Sequence, residues 1–352
     1  MAKIIYLLGA GASFGKRGNE AKGFPIDIKK LNSTHHSFDT CANIIEGLPV
    51  VCEIPNRIKY IISEIYKEIN KSYSTKPQQD SLQRLINDLE WMYTESRRHN
   101  TIDTFAKKLY LTKQWAAYER LKRILSAYFM LEQLLGQTDK RYDTFYASIL
   151  GNHIGDFPKN LCVVSWNYDC QFELAFKEYF DTPNLDKIQT HLNISHKIGV
   201  KNRTDNFSII KLNGTALMYN ESRNEFIDAF DNNHNMNPIL QIVSVFYDKN
   251  HKCALSFAWE NMMNDFEERI KKCVEEAEIL VVIGYSFPFF NRSVDKLLFD
   301  NMPKLKKIYL QDKDPNKIEE SVNNLLTASH RANKTIIEKK YQTEQFYLPP
   351  EL

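Results

Sequence analysis

The chain has 352 residues, of which 43% are hydrophobic and 26% charged, ordinary values for a globular protein with room for a full core. Its 46 basic and 44 acidic residues leave a net charge of +2, which gives no electrostatic case for nucleic acid or an anionic membrane as the main ligand. Six cysteines stand without a CxxC pair, which argues against a zinc ribbon or a dense disulfide framework, and Cys162, inside an apolar run, reads as a buried free thiol.

The first predicted strand, Ile4–Leu8, runs straight into Gly9-Ala10-Gly11-Ala12-Ser13. Its continuous Ile/Leu character predicts burial on both faces, and the glycines predict a turn whose backbone comes close to a phosphate. The apolar stretch is too short for a signal segment, and no run approaches the length of a membrane span, so a cytoplasmic protein is expected. Ile58, Ile61, Ile62 and Ile65 then repeat at helical spacing after Pro55. A loop is expected over residues 71–79. Leu82, Leu85, Ile86 and Leu89 repeat again, with Asp80 as the expected N-cap. Trp115, Tyr118, Leu121, Tyr128, Leu131 and Leu135 continue a long helical stripe whose ordinary meaning is core packing.

Four more short β-rich runs follow: Leu161–Val164, Ser208–Leu212, Ile279–Ile283 and Ile308–Leu310. Runs of this length with abrupt polar ends predict buried parallel strands whose C-terminal ends line a ligand crevice. A helical stretch is expected over 257–278, and the tail after Pro315 reads as helical, then extended. The expected organisation is an α/β, Rossmann-like parallel-sheet core over 1–30 and 159–315. A large all-helical insertion over 31–158 and a C-terminal extension over 316–352 complete it.

Three of these strand ends carry further chemistry. Ser165-Trp166-Asn167-Tyr168-Asp169 places an amide and a carboxylate two residues apart, so both side chains reach the same side of an extended segment. The alternative for Asp169 is an Asx turn capping the helix that starts near Gln171. Lys211-Leu212-Asn213-Gly214 ends a strand in a polar residue and a glycine, which is also the commonest turn dipeptide. Gly284-Tyr285-Ser286-Phe287 ends another in a glycine and a hydroxyl, and Asp312 follows the last strand. No Lys-Ser/Thr pair follows the first glycine turn, so it is not a P-loop.

Together and in this order, these motifs resemble those of the Sir2-like family of NAD-consuming domains. Gly9–Ser13 resembles the family's GAGxS turn, Asn167–Asp169 its NxD motif, Lys211–Gly214 its KLHG motif and Gly284–Phe287 its G-[TY]-S-[LF] turn. The resemblance covers about residues 1–25 and 159–314. It implies a domain that binds NAD in an extended pose and breaks the bond between nicotinamide and ribose. Gly9, Ala10, Gly11, Ala12 and Ser13 would then cradle the pyrophosphate. Asn167 would hold the nicotinamide ribose or the attacking water, with Asp169 supporting it. Gly214, Gly284, Tyr285 and Ser286 would line ribose or phosphate, and Asp312 the adenosine end. A family proline loop falls on Gly23-Phe24-Pro25 or on Gly47-Leu48-Pro49.

The paired cysteines of the zinc module found in protein deacylases are absent from this sequence, and a helical segment stands instead, as in the bacterial defence NADases. The resemblance therefore implies hydrolysis of NAD to ADP-ribose and nicotinamide, with no metal. It also implies a role in antiphage defence, with homo-oligomerisation and a partner such as a HerA-like ATPase or a nucleotide-sensing subunit. One position departs from the family: its catalytic histidine falls on Asn213, and an amide takes no proton near pH 7. Three readings stay open. Asn213 positions hydroxyls for slow hydrolysis; His191 or His196 substitutes as base; or the chain is a silent NAD-binding or scaffold subunit.

Overall fold

The structure is a computed structural model that describes residues 2–13, 61–70, 75–99, 101–135, 138–180, 184–197, 207–223, 225–227, 230 and 237–352. Both proline-loop candidates, Gly23–Pro25 and Gly47–Pro49, lie outside the described residues. A seven-stranded sheet in the order β10-β9-β8-β1-β2-β4-β3 forms the centre. Its strands are β1 (Lys3–Leu8), β2 (Leu161–Ser165), β3 (Ile194–His196), β4 (Ser208–Lys211), β8 (Ala277–Ile283), β9 (Lys307–Gln311) and β10 (Ile336–Lys340), and every pairing is parallel. The chain is therefore α/β, and all five predicted strands belong to this sheet.

Alternation along the strands builds two separate cores. Ile5 and Leu7 of β1 face one side, where Val164, Leu280, Val282 and Leu310 meet the helices Asn264–Val274, Arg292–Asp300 and Pro315–Asn323. Ile4, Tyr6 and Leu8 face the other, where Val163, Ile209 and Val281 meet the helices Lys140–Ile149, Gln171–Lys177 and Leu185–His191. Covering both faces is what allows the central strands β1, β2 and β8 to be almost wholly apolar.

A third core lies outside the sheet. The helices over 61–69, Lys76–Ser96, Ile102–Leu111 and Trp115–Leu135 share it with a small antiparallel sheet, β5 (Gly214–Asn220), β6 (Glu225–Phe226) and β7 (His251–Leu255), and with the helix Pro238–Tyr247. This lobe thus recruits residues from well beyond the segment read as helical, while Lys140–Ile149 from within that segment packs on the parallel sheet. Two local expectations are corrected. The helix expected to begin after Asp80 begins at Lys76, because the Thr75 backbone N–H donates to the Gln78 side chain at 2.8 Å and Pro77 suits the first turn. The helix expected over 257–278 is confined to Asn264–Val274, since the chain is already extended from Ala277.

Cys162 on β2 is joined in a disulfide to Cys273, which corrects the expectation of a free thiol there: the helix covering that strand supplies a second cysteine 111 residues away. Cys170 and Cys253 are free and buried. Among the described residues, no helix is long and apolar enough to cross a membrane.

Three glycines lock the two central strands together at their C-terminal ends. A Cβ on Gly9 would stand 2.5 Å from the Gly284 carbonyl oxygen, and one on Gly11 would stand 2.7 Å from the Gly284 Cα. Gly284 itself has φ +56°, and its own Cβ would fall 2.4 Å from the Gly11 carbonyl carbon. Gly155 is a useful contrast, with φ +94° and open space around it. Both Gly284→Ala and Gly155→Ala carry strain from positive φ, so the difference between them isolates the clash between the loops. Chemical denaturation is expected to show Gly284→Ala less stable than Gly155→Ala by about 1–3 kcal/mol. Equal losses would mean the loops separate freely.

Candidate active site

The strand order reverses its direction of growth at β1: β2, β4 and β3 lie on one side, and β8, β9 and β10 on the other. In an open parallel sheet the crevice for a ligand opens at such a switch point, beyond the C-terminal ends of the strands. Here those ends are Gly9–Ser13 after β1, Trp166–Asp169 after β2, Leu212–Gly214 after β4 and Gly284–Ser286 after β8. The four sequence motifs, 275 residues apart at their extremes in the chain, therefore meet along one edge of the sheet.

At the centre of this edge stands Ser13, 1% exposed. Its hydroxyl donates to Asp169 Oδ2 at 2.6 Å, accepts from Asn167 Nδ2 at 3.0 Å and lies 2.7 Å from the Tyr142 hydroxyl. A hydroxyl has one proton and two lone pairs, so with Tyr142 donating all of its capacity is used. Ser13 thus acts as the node that ties β1's turn to the Asn167–Asp169 loop. The other oxygen of Asp169 accepts from the Gln171 backbone N–H at 3.1 Å. Both readings of Asp169 therefore hold together: one oxygen caps the helix Gln171–Lys177 and the other faces the motif cluster. Burial raises the pKa of Asp169, with Lys211 and the Ser13 hydrogen bond pulling the other way.

Behind the loop sits a fully buried ion pair. Lys211 Nζ donates to Glu173 Oε1 at 2.6 Å and to the Asp169 carbonyl at 2.7 Å. Burial depresses the Lys211 ammonium, but Glu173, Cys170 and Asp169 outweigh it and hold the lysine charged. Lys211 thereby fixes the backbone at Asp169. Arg141, paired with Asp139, plays a parallel part for the first turn by donating to the Ala12 carbonyl at 2.8 Å.

Both amides of the cluster are half satisfied. Asn167 is 2% exposed and Asn213 is 3% exposed. The Asn213 side-chain amino group donates to the Trp166 carbonyl at 3.2 Å, and its backbone carbonyl accepts from the Ser256 N–H at 2.8 Å. The side-chain oxygens Asn167 Oδ1 and Asn213 Oδ1 have no hydrogen-bond partner among the described residues. Buried acceptors left without donors cost about 1–3 kcal/mol each, so such atoms mark a place where something else donates.

The remaining expected residues divide. The N–H groups of Gly9 and Gly11 are engaged by the Ile283 and Gly284 carbonyls at 3.0 and 2.9 Å, and the Ala12 N–H by the Gly9 carbonyl at 2.9 Å. Ala10 packs into the helical lobe and Ala12 into a face of the sheet. Gly214 has φ +70°, and a Cβ there would fall 2.0 Å from the Ala254 carbonyl, so strand β7 demands this glycine. Tyr285 is buried, stacked on Trp166 with ring centroids 5.8 Å apart, and its hydroxyl donates to Asp295 at 2.8 Å. Gly284 is buried, whereas Ser286 is exposed at the mouth of the edge. Asp312 accepts from the Asp314 N–H at 2.9 Å, tightening the turn into the helix Pro315–Asn323.

Neither histidine stands in for Asn213 in plain form. His191 is exposed and its ring lies against Phe180, with centroids 4.1 Å apart. His196 pairs in register with Lys211 and is 1% exposed, with no partner for either ring nitrogen among the described residues. Burial and then Lys211 push its pKa well below the ordinary imidazole value, so it is neutral at physiological pH. Tyr142 and Glu173 join the cluster from outside the four motifs, and Lys211 joins it as the buried partner of Glu173. A lysine inside the apolar run Ile209–Leu212 was the visible signal for a buried pair; Tyr142 left none. Among the described residues, no group of three or more His, Cys, Asp or Glu side chains is placed to hold a metal ion.

No protein-family model matches the chain, and no curated protein matches it.

Asp295 carries a pH signature. Burial raises its carboxyl from the ordinary 3.8 to about 8, against the hydrogen bond of Tyr285. The folded state therefore keeps a proton that the unfolded chain loses, so this residue's contribution to stability falls as pH rises between those values, by up to about 1.4 kcal/mol per pH unit. Asp295→Asn keeps the shape and the acceptor but cannot titrate. Urea unfolding is expected to show the stability advantage of Asp295→Asn over wild type growing steadily as pH rises from 5 to 8. An unchanged pH slope in the variant would remove Asp295 as its source.

Proposed function

We propose that this chain is a Sir2-like NAD+ hydrolase that cleaves the nicotinamide–ribose bond to give ADP-ribose and nicotinamide. The observation that carries the reading is the pair of orphaned acceptors, Asn167 Oδ1 and Asn213 Oδ1, buried where the four motifs converge. A ribose offers hydroxyl donors, which is what two unpaired acceptor oxygens require. Bound NAD would supply a glycosidic bond to a cationic leaving group, whose departure leaves positive charge at the ribose.

In this reading Asn167 and Asn213 orient the ribose hydroxyls, and the Ser13 node keeps the Asn167 amide turned so that its oxygen faces the ligand. Asp169 provides negative charge in a dry setting, where an electrostatic contribution is larger than in water. Because burial raises its pKa, that charge is lost as pH falls, and turnover is expected to fall with it. Gly9 and Gly11 bring the β1 turn against Gly284, and Ser286 stands exposed at the opening. The role in antiphage defence, gated by homo-oligomerisation or by a partner such as a HerA-like ATPase or a nucleotide-sensing subunit, belongs to the same reading. It rests on the motif resemblance.

A second reading is favoured by one observation. Asn213 holds the position where the family has a base, and its amino group is already committed to the Trp166 carbonyl. A silent NAD-binding subunit would look the same. Chromatography of NAD incubated with the purified chain, alone and with the product of the neighbouring gene, separates the two. Release of nicotinamide and ADP-ribose is expected, reduced at least about 100-fold in Asn167→Ala. Intact NAD under both conditions, with saturable NAD binding that Asn167→Ala weakens, would establish the silent subunit instead.

A further inference from the structure

The helical lobe contains a cavity that the reading above does not use. It has a volume of about 270 Å³ and lies between the helices Lys76–Ser96, Trp115–Leu135 and Pro238–Tyr247. That is several times the space of one water and close to the lower end of about 300 Å³ for small-molecule sites. The floor is apolar, from Leu85, Ile124, Ala127 and Phe246, and the walls carry Arg84, Arg120, Arg123, Asp88, Glu119 and Tyr247.

The charges are unevenly committed. Asp88 is fully occupied, accepting from Arg120 at 2.5 and 2.8 Å and from the Tyr247 hydroxyl at 2.6 Å. Arg123 donates to the Phe246 and His251 carbonyls at 2.5 and 3.2 Å, two contacts out of five available N–H groups, and neither is to a carboxylate. Arg84 lies over the Tyr247 ring, 4.2 Å from its centroid, in no ion pair with a described carboxylate. Three guanidiniums against two carboxylates leave the lining one positive charge in surplus, and two of the guanidiniums keep free donors. These two come from different helices, Lys76–Ser96 and Trp115–Leu135. A guanidinium fork matches carboxylate and phosphate oxygens alike, and a phosphate monoester, with three free oxygens and up to two negative charges, can engage both forks at once.

We propose that this cavity binds a small phosphate monoester carrying a planar ring, with the phosphate between Arg84 and Arg123 and the ring on the apolar floor against Phe246. The site is separate from the strand-end edge and does not depend on its assignment to NAD. Phenyl phosphate is a suitable probe for calorimetry with the whole chain, with phenol and inorganic phosphate each carrying half of its features. Saturable binding of phenyl phosphate below about 1 mM is expected, with at least about tenfold weaker binding for either half alone. Arg84 is exposed and holds no structural hydrogen bond, so Arg84→Gln is expected to melt like wild type yet lose at least about tenfold in affinity for phenyl phosphate. Asn167→Ala is expected to bind it unchanged. Absence of saturable binding, equal affinity in Arg84→Gln, or loss in Asn167→Ala would each overturn the proposal, the last by placing the probe in the crevice of the parallel sheet.

Discussion

The contact on which the site depends is a backbone one: the Gly11 N–H donates to the Gly284 carbonyl at 2.9 Å, with no room for a side chain on either partner. It closes the two strands at the switch point against each other. Everything at the edge of the sheet is referenced to that closure. Ala12 and Ser13 continue the same turn, so the position of the Ser13 hydroxyl is set by how tightly Gly11 meets Gly284. Ser13 in turn orients Asn167 and Asp169. A glycine turn read from sequence as a phosphate cradle is thus, in the first instance, a clamp between loops. The two roles are compatible only if the ligand meets N–H groups other than those of Gly9 and Gly11, which the clamp already uses.

Beneath the clamp, the chain carries an unusual density of buried charge: Lys211, Glu173 and Asp169 are all 3% exposed or less. Burying a pair of ions rarely adds to stability compared with a well-packed apolar pair, while removing one partner costs about 3–5 kcal/mol. What the pair does here is geometric. Lys211 reaches past Glu173 to the Asp169 carbonyl, fixing the peptide from which the carboxylate projects. Gln189 adds a second contact to Glu173 at 3.3 Å. A hydrophobic replacement could fill the same volume, but it could not hold a carbonyl.

The five apolar runs were legible because buried parallel strands need no polar alternation, and each ends abruptly where the sheet meets its edge. The strands that escaped had reasons to. β3 is three residues long and carries Ser195 and His196; β10, by contrast, falls in the tail read as extended, and its Glu338-Lys339-Lys340 end is the charge that keeps an edge from pairing further. β5 begins at Asn213-Gly214, where the local signal is a turn; only the approach of β7 makes it a strand. At the site, spacing along the chain indicated which residues share a side, as with Asn167 and Asp169. It could not indicate who occupies the other half of each hydrogen bond. Tyr142 reaches Ser13 from a helix 129 residues away, and no local pattern announces it. Tyr285 and Asp312 look like ligand contacts because they sit beyond strands, yet one anchors Asp295 and the other closes a turn.

The position of Asn213 sharpens what kind of chemistry this edge can perform. Its amino group faces the Trp166 carbonyl, so its oxygen is the atom presented, and the same holds for Asn167, whose amino group faces Ser13. Both amides therefore offer an acceptor oxygen, and each amino group keeps a second N–H. Amides placed this way can hold hydroxyl donors firmly and leave them hydrogen-bonded, but they take no proton from them. His196, in register with Lys211 on the neighbouring strand, is kept neutral by burial and by Lys211, and its two nitrogens have no partner among the described residues. Asp169 supplies a carboxylate at the edge, beside the Lys211–Glu173 pair. Any deprotonation of a nucleophile here falls to that carboxylate, whose pKa burial raises. Bond breaking in which the leaving group departs first, with positive charge left near a carboxylate and hydroxyls held in place, is the class that two acceptor amides and one buried acid can serve.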